Sequence, residues 1–338
     1  MNAPLRLQLD THALVANWRT LAAMGGPAAC GAAVKADGYG LGALAVASHL
    51  AKAGCRDFFV ATWAEAEALA GQGLQVSVLH GVRAEDMGVA TSGIARPVLN
   101  TPLQVARWKQ AGGGACDVMV DTGMNRLGIA ADDLALLEGL QIETLMSHLA
   151  SADQDVPSNQ AQRAAFAALD VKAKRRSLAN SAGIALGADY AFDLTRPGLS
   201  LYGGIQRPEL EGRIAQVAYP QAQILQRRRV PAGQSVGYNA LWTAPADTEI
   251  ATLNIGYADG YFRGFSGVGT ARAGEIDLPV LGRISMDLTA IGVDAAPDLR
   301  EGDWITLNFA LPEASTRSGM SQYELLTHLG ARFDRVWK

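Results

Sequence analysis

The chain has 338 residues, of which 49% are apolar and 18% charged, and a formal net charge of -4 at pH 7. That is enough sequence for two domains with a large core, and the charge balance excludes a basic face for nucleic acid or acidic lipid. No apolar run is long enough to span a bilayer, and the start Met1-Asn2-Ala3-Pro4-Leu5-Arg6 lacks the apolar core of a signal peptide. The expectation is a cytoplasmic protein with no nucleic-acid and no membrane partner. Cys30, Cys55 and Cys116 are odd in number and fall near strand-like runs, which suits buried reduced thiols. The five histidines show no metal-ligand spacing, and no structural metal is expected.

Apolar strand-like runs alternate with helical patterns along the first two thirds of the chain. The runs cover 28–34, 57–61, 75–79, 95–99, 116–120, 142–147, 177–180 and 191–195, and helices are predicted over 41–53, 63–70, 102–111, 132–140 and 160–173. Units of this kind predict an α/β fold, an N-terminal (β/α)8 barrel of the TIM type, with a doubly wound sheet as the alternative. After about Ala218 the texture changes. Strand-like runs over 221–230, 248–255, 275–281, 288–293 and 304–309 are separated by Pro-Ala-Gly, Tyr-Ala-Asp-Gly and Glu-Gly-Asp turns. The chain thus reads as a barrel over 9–217 and a mostly β domain over 218–338, to which the segment 1–8 is added.

The stretch Ala32-Ala33-Val34-Lys35-Ala36-Asp37-Gly38-Tyr39-Gly40-Leu41-Gly42 sets one lysine after a buried strand and before a glycine-rich turn. In α/β folds that edge of the sheet is where active sites gather, because its loops vary without disturbing the core. A lysine there can be desolvated and lose pKa, the condition for a covalent carbonyl chemistry at its amine. Asp121-Thr122-Gly123-Met124-Asn125-Arg126 follows the fifth run, His148 the sixth, Asn180-Ser181-Ala182 the seventh and Arg196-Pro197-Gly198 the eighth. Taken singly, Arg126 reads as a helix cap or surface pair, His148 as a satisfied core histidine and Ser181 as an N-cap. Together they ring one mouth of a barrel with cations and helix N-terminal amides, which suits a phosphate-bearing cofactor.

These motifs resemble the pyridoxal-phosphate-dependent alanine racemases. The boxes Val34 to Gly40, Asp121 to Gly128, His148, Asn180-Ser181-Ala182, Arg196 to Gly203, Val236-Gly237-Tyr238, Gly256 to Tyr261 and Gly282 to Asp287 occur in family order over nearly the whole chain. The resemblance implies that Lys35 holds pyridoxal 5'-phosphate and then acts as one base. It implies that Tyr238, from the other subunit of a homodimer with shared active sites, is the second. Two bases on opposite faces are what inversion at Cα requires. It further implies that Arg196 faces the cofactor's ring nitrogen, and that His148 bonds Arg196 and Tyr238. The phosphate is expected on Tyr39, Ser181, the Gly198 and Leu199 amides and Tyr323. Arg126 is expected on the cofactor's phenolic oxygen and the substrate carboxylate, with the backbone amide of Met286 of the partner subunit as a second carboxylate donor, and Tyr257, Arg263, Arg283 and Asp153 are expected to line a narrow entrance.

The chain departs from the family pattern at several positions. Met119 stands where many relatives carry a carbamylated lysine, so Arg126 must be held some other way. Gly38 replaces the usual alanine, Leu41 the usual histidine, Gly237 the usual serine and Ser285 the frequent cysteine. The resemblance implies racemisation of alanine, with D-alanine feeding peptidoglycan. The alternatives are a racemase of broader or different specificity, such as serine or lysine, a non-catalytic cofactor-binding protein, and a decarboxylase. The decarboxylase needs a cysteine in the C-terminal domain, and all three cysteines here precede residue 117.

Overall fold

The structure, a computed structural model, describes residues 3–338 and divides into two compact units, Leu14–Ala215 and Met1–Ala13 with Gln216–Lys338. In the first unit, Ala32–Ala33, Asp57–Val60, Gln75–Val78, Arg96–Leu99, Cys116–Met119, Ile142–Met146 and Arg175–Ser177 make a parallel sheet in chain order. Leu194–Thr195 pairs in parallel with Ala29–Cys30. Asp193 N–H to Arg176 O (3.0 Å) and Arg196 N–H to Ala179 O (2.8 Å) join that eighth strand to the seventh, so the ring closes. The strands are almost wholly buried, as parallel strands under helices must be.

The interior is polar at the end where strands begin. Arg175 donates two bonds to Asp57 (2.7 and 3.0 Å), and the fully buried Asp117 accepts from Ser77 Oγ (2.6 Å) with Arg96 Nε 3.5 Å away. Burial pushes the Asp117 carboxyl up, against the pull of Arg96. The opposite end, where strands finish, is left for the residues singled out above.

Several local elements differ from the sequence reading. The seventh strand is Arg175–Ser177, earlier than expected, because Ser177 closes a bond to Leu194 O and the following Asn180 caps the helix Ser181–Ala185. The expected helix over 132–140 is the 3-10 segment Ala131–Leu137, and the helix expected over 160–173 is Pro157–Ala167, started by the proline. The first strand is interrupted at Gly31. A Cβ there would lie 2.8 Å from Asp57 O and 2.8 Å from Phe59 Cε2, so only glycine lets two neighbouring strands approach.

The second unit is antiparallel except at one edge, where Asp334–Trp337 pairs in parallel with Leu5–Leu9. Its strand order is Thr248–Leu253, Thr289–Gly292, Ile276–Leu281, Thr270–Ala273, Trp304–Leu307, Ala218–Val230, Leu5–Leu9 and Asp334–Trp337. Ala218–Val230 is long enough to pair again with Thr248–Leu253 across a bulge between Ile224 and Gln226, which closes a small barrel. Leu5, Leu7 and Leu9 alternate inward and pair antiparallel with Ala218–Val230, which ties the N-terminus to this unit. The strands Thr270–Ala273 and Asp334–Trp337 and the helix Thr11–Met24 had no counterpart in the sequence reading. No helix among the described residues is long and apolar enough to cross a membrane.

Gly31→Ala should lower the unfolding free energy by about 1–3 kcal/mol, because backbone and a ring must yield to the new methyl. Chemical denaturation of the two proteins measures it, and equal stability would show that the strands have room to spare.

Candidate active site

The turn after the first barrel strand has an unusual backbone. Ala36 (φ 52°, ψ 49°), Asp37 (φ 53°, ψ 49°), Gly38 (φ 64°, ψ 41°) and Tyr39 (φ 56°) are consecutive left-handed residues. The conformation costs about 1–2 kcal/mol for each residue that carries a Cβ, so the surroundings must hold it. Gly38 N–H reaches Val34 O (2.8 Å), Gly40 N–H reaches Ala36 O (2.9 Å), and Asp37 Oδ1 accepts from Ala43 N–H (2.8 Å). The turn is what carries Lys35 at its start and Tyr39 at its end.

Lys35 sits among Arg126, Arg196 and Glu65. Burial is the main cause pushing its ammonium pKa down; Arg126 and Arg196 add to it and Glu65 opposes it. The buried Arg196 guanidinium donates to Ser177 Oγ and to Ser147 O (2.7 Å), which fixes it inside the barrel mouth. Burial lowers its pKa to about 10, so it stays charged at neutral pH. His148 lies beside the same three cations. Burial first, then Arg196, Arg126 and Lys35, push its imidazole down to about 3, and it is neutral. Held neutral, the imidazole can donate a hydrogen bond from one ring nitrogen and accept one at the other, without adding a further charge to the mouth.

Ser181, Gly198 and Tyr39 converge on the other side of the mouth. Ser181 Oγ accepts from Gly198 N–H (3.0 Å) and Ser200 N–H (3.2 Å), at the starts of the short helical segments Ser181–Ala185 and Leu199–Tyr202. A Cβ on Gly198 would lie 2.3 Å from the Tyr39 hydroxyl, so the glycine is what lets that hydroxyl meet the backbone. Tyr39 stacks on Tyr202 at 4.7 Å, and Tyr202 Oη donates to Ala33 O (2.7 Å) beneath the lysine. A phosphate fits this set of hydroxyls and backbone amides at two helical starts. Leu199 is buried, and Gly204 lies against its side chain.

The structure therefore brings Lys35, Tyr39, His148, Ser181, Arg196, Gly198 and Leu199 together at the strand ends. Met119 is buried in its strand, paired with Met146, and Arg126 lies exposed on the loop beyond it. Asp153 is exposed on the loop after the sixth strand, which Arg207 holds through Ala152 O and Asp155 Oδ1. Tyr238, Tyr257, Arg263, Arg283, Met286 and Tyr323 belong to the antiparallel unit.

In that unit two loops lie back to back. Tyr257 N–H donates to Ser285 O (3.0 Å) and Ala258 N–H to Met286 O (3.0 Å), and a Cβ on Gly256 would lie 2.3 Å from Met286 O. Asp259, 1% exposed, accepts from Gly256 N–H (3.0 Å) and twice from Arg332 (2.6 and 2.9 Å), while Arg332 also reaches Asp287 (2.7 Å). Arg263 lies over the Tyr257 ring at 4.7 Å. Tyr238, 65% exposed, and Met286, 54% exposed, stand out from this unit, with Gly237 against the Arg283 backbone. Tyr323 is part of the helix Gln322–Thr327, capped by Ser321.

Comparison with known proteins shows the family of the chain. The family models "Alanine racemase, N-terminal domain" and "Alanine racemase, C-terminal domain" match residues 9–206 and 217–337. The chain belongs to the alanine racemase family. Relatives include an alanine racemase of Acidiphilium cryptum, 41% identical with 100% of this chain and 99% of that protein covered. One of Methylobacterium nodulans is 42% identical, covering 98% and 95%. Among solved structures, an alanine racemase of Bartonella henselae with covalently bound pyridoxal phosphate matches with TM-score 0.90 at 35% identity, covering 99% of each chain. The biosynthetic alanine racemase of Pseudomonas aeruginosa matches with TM-score 0.89 at 30% identity, covering 100% of each.

Sequence reasoning passed over Glu65, Tyr202, Arg207 and Arg332. The Thr62-x-x-Glu65 spacing signals a capping box, but nothing local signals where the partners of Arg207, Arg332 or Tyr202 lie.

The imidazole of His148 titrates near 6.5 when exposed and near 3 in the folded protein. The unfolded chain then binds this proton first, so its contribution is complete above about 6.5 and is lost as pH falls toward 3. His148→Gln should lose less unfolding free energy than the wild type between neutral pH and about pH 4.5. Denaturant titrations at the two pH values check it; parallel losses would mean that His148 is protonated in the folded state.

Proposed function

We infer that this protein interconverts L-alanine and D-alanine with pyridoxal 5'-phosphate held on Lys35, by two bases acting on opposite faces of the substrate Cα. The observation that carries the reading is the barrel mouth itself: a lysine amine pushed toward its neutral form beside a neutral imidazole and a fixed guanidinium. Membership of the alanine racemases supplies the reaction class. Bound there, the cofactor supplies an electron sink for the pair left at Cα.

The chain's own groups do the rest. Lys35 Nζ anchors the cofactor and, once freed by the substrate amine, takes or returns the Cα proton on one face. Tyr238 Oη does the same on the other face, contributed by a second copy of the chain in a homodimer. The exposure of Tyr238, Leu241, Met286 and Leu288 on one chain supports that assignment, since a partner would cover them. Arg196 stays cationic and so keeps a proton off a ring nitrogen facing it, which restrains delocalisation and with it side reactions. Ser147 and Ser177 hold it in that role. Tyr39, Ser181 and the amides of Gly198 and Leu199 take the phosphate, with Tyr323 of the antiparallel unit. Arg126 and the amide of Met286 of the partner subunit take the substrate carboxylate, and Asp153, Tyr257, Arg263 and Arg283 restrict the approach to small zwitterions. The buried free thiols of Cys30, Cys55 and Cys116 suit a reducing, cytoplasmic setting, where D-alanine would feed peptidoglycan.

Tyr238→Phe should lower racemisation by about 10²-fold or more while the cofactor's visible absorbance remains, and Lys35→Ala should remove that absorbance. Circular-dichroism time courses from each alanine enantiomer read the rate. Full activity in Tyr238→Phe would sink the two-base reading, and two alanine signals that never decay in the wild type would sink the reaction.

A further inference from the structure

Glu65 is the third residue of the helix Trp63–Ala68 and makes a capping box with Thr62. A capping box needs one carboxylate oxygen, and Oε2 meets that need: it accepts from Thr62 N–H (3.1 Å) and from Ala61 N–H (2.6 Å). Oε1 does something else. It leaves the helix and accepts from Ala36 N–H at 2.7 Å, on the neighbouring strand end and one residue after Lys35.

We propose that Glu65 is a positioning residue for Lys35, fixing the start of the left-handed turn from which the lysine amine reaches the cofactor. The turn is the most costly backbone in the barrel mouth, and it is held at Gly38, Gly40 and Ala43 by bonds within its own segment. The Ala36 bond is the one that ties its first residue to a different strand end, and a carboxylate acceptor makes it stronger than an amide bond to a neutral oxygen. Val34 N–H donates to Phe59 O (2.8 Å), so Lys35 is bracketed on both sides by bonds to the strand Asp57–Val60 and the helix that follows it. The charge is placed to matter as well. Arg126 and Arg196 both disfavour the ammonium form of Lys35, and Glu65 is the carboxylate that opposes them. The inference rests on the functional reading above, since it takes Lys35 as the cofactor's anchor.

The test separates the cap from the positioning role. Thr62→Ala removes the other half of the capping box, accepted by Thr62 Oγ1 from Glu65 N–H (3.3 Å), and leaves Ala36 untouched. Holoenzyme of the wild type, Thr62→Ala, Glu65→Ala, Glu65→Gln and Lys35→Ala is followed by thermal melting. Each is also followed by the rate at which a small amine challenge removes the visible absorbance of lysine-bound cofactor, and by kcat and KM for alanine. Thr62→Ala and Glu65→Ala should both lower the melting temperature. Glu65→Ala, unlike Thr62→Ala, should lose bound cofactor faster, by about tenfold, with kcat falling and KM little changed. Glu65→Gln keeps the shape and one acceptor oxygen and should fall between, which keeps the test decisive if Glu65→Ala folds poorly. Rates in both Glu65 variants no faster than in Thr62→Ala would overturn the proposal, leaving Glu65 a helix cap. A Lys35→Ala protein that keeps the absorbance would instead overturn the functional reading, and this inference with it.

Discussion

The structure turns on holding Lys35 and the buried Arg196 beside one neutral imidazole at the ends of buried strands, with the exposed Arg126 on the loop beyond. Like charges in a desolvated mouth repel one another, and each would relax outward if its backbone allowed. The barrel prevents this with fixed acceptors: Ser147 O and Ser177 Oγ for Arg196, and Glu65 for the residue beside Lys35. The same setting is what makes the site useful, because burial first, and then Arg126 and Arg196, push the lysine toward the neutral amine that covalent chemistry needs.

The two ends of the barrel divide the work. Where strands begin, charged groups face one another: Asp57 is paired with Arg175, while Asp117, bonded by Ser77 and 3.5 Å from Arg96, is still pushed up by burial. Where they finish, Lys35, Arg126 and Arg196 lie around the neutral His148, a setting that an anionic group would offset. Phosphate and carboxylate are such groups, and the converging hydroxyls of Tyr39 and Ser181 with the amide of Gly198 point the same way. The antiparallel unit has its own matched pair, Asp259 with Arg332, and it locks together the two loops from which Tyr257 and Met286 project.

Backbone strain sits where the chemistry is placed. Four left-handed residues follow Lys35, and Asn239 (φ 65°) and Ala240 (φ 46°) follow Tyr238. Such conformations survive only where neighbours over-determine them, and they cluster at sites that must present a side chain in one direction. Both proposed bases are thus adjacent to backbone that would not adopt its shape unaided.

The sequence by itself determined the alternation of strands and helices, the change of texture near Ala218 and the rim residues, because each is written in local periodicity and turn chemistry. Lys35, His148, Ser181 and Arg196 were legible since each directly follows an apolar run. The interruption at Gly31, the short eighth strand and the pairing of Leu5–Leu9 with Ala218–Val230 were decided only by the tertiary structure, because they depend on what lies across the ring or across the sheet. The same holds for Glu65, Arg207 and Arg332. Their partners are distant in sequence, and a charged side chain carries no local mark of the backbone it will hold.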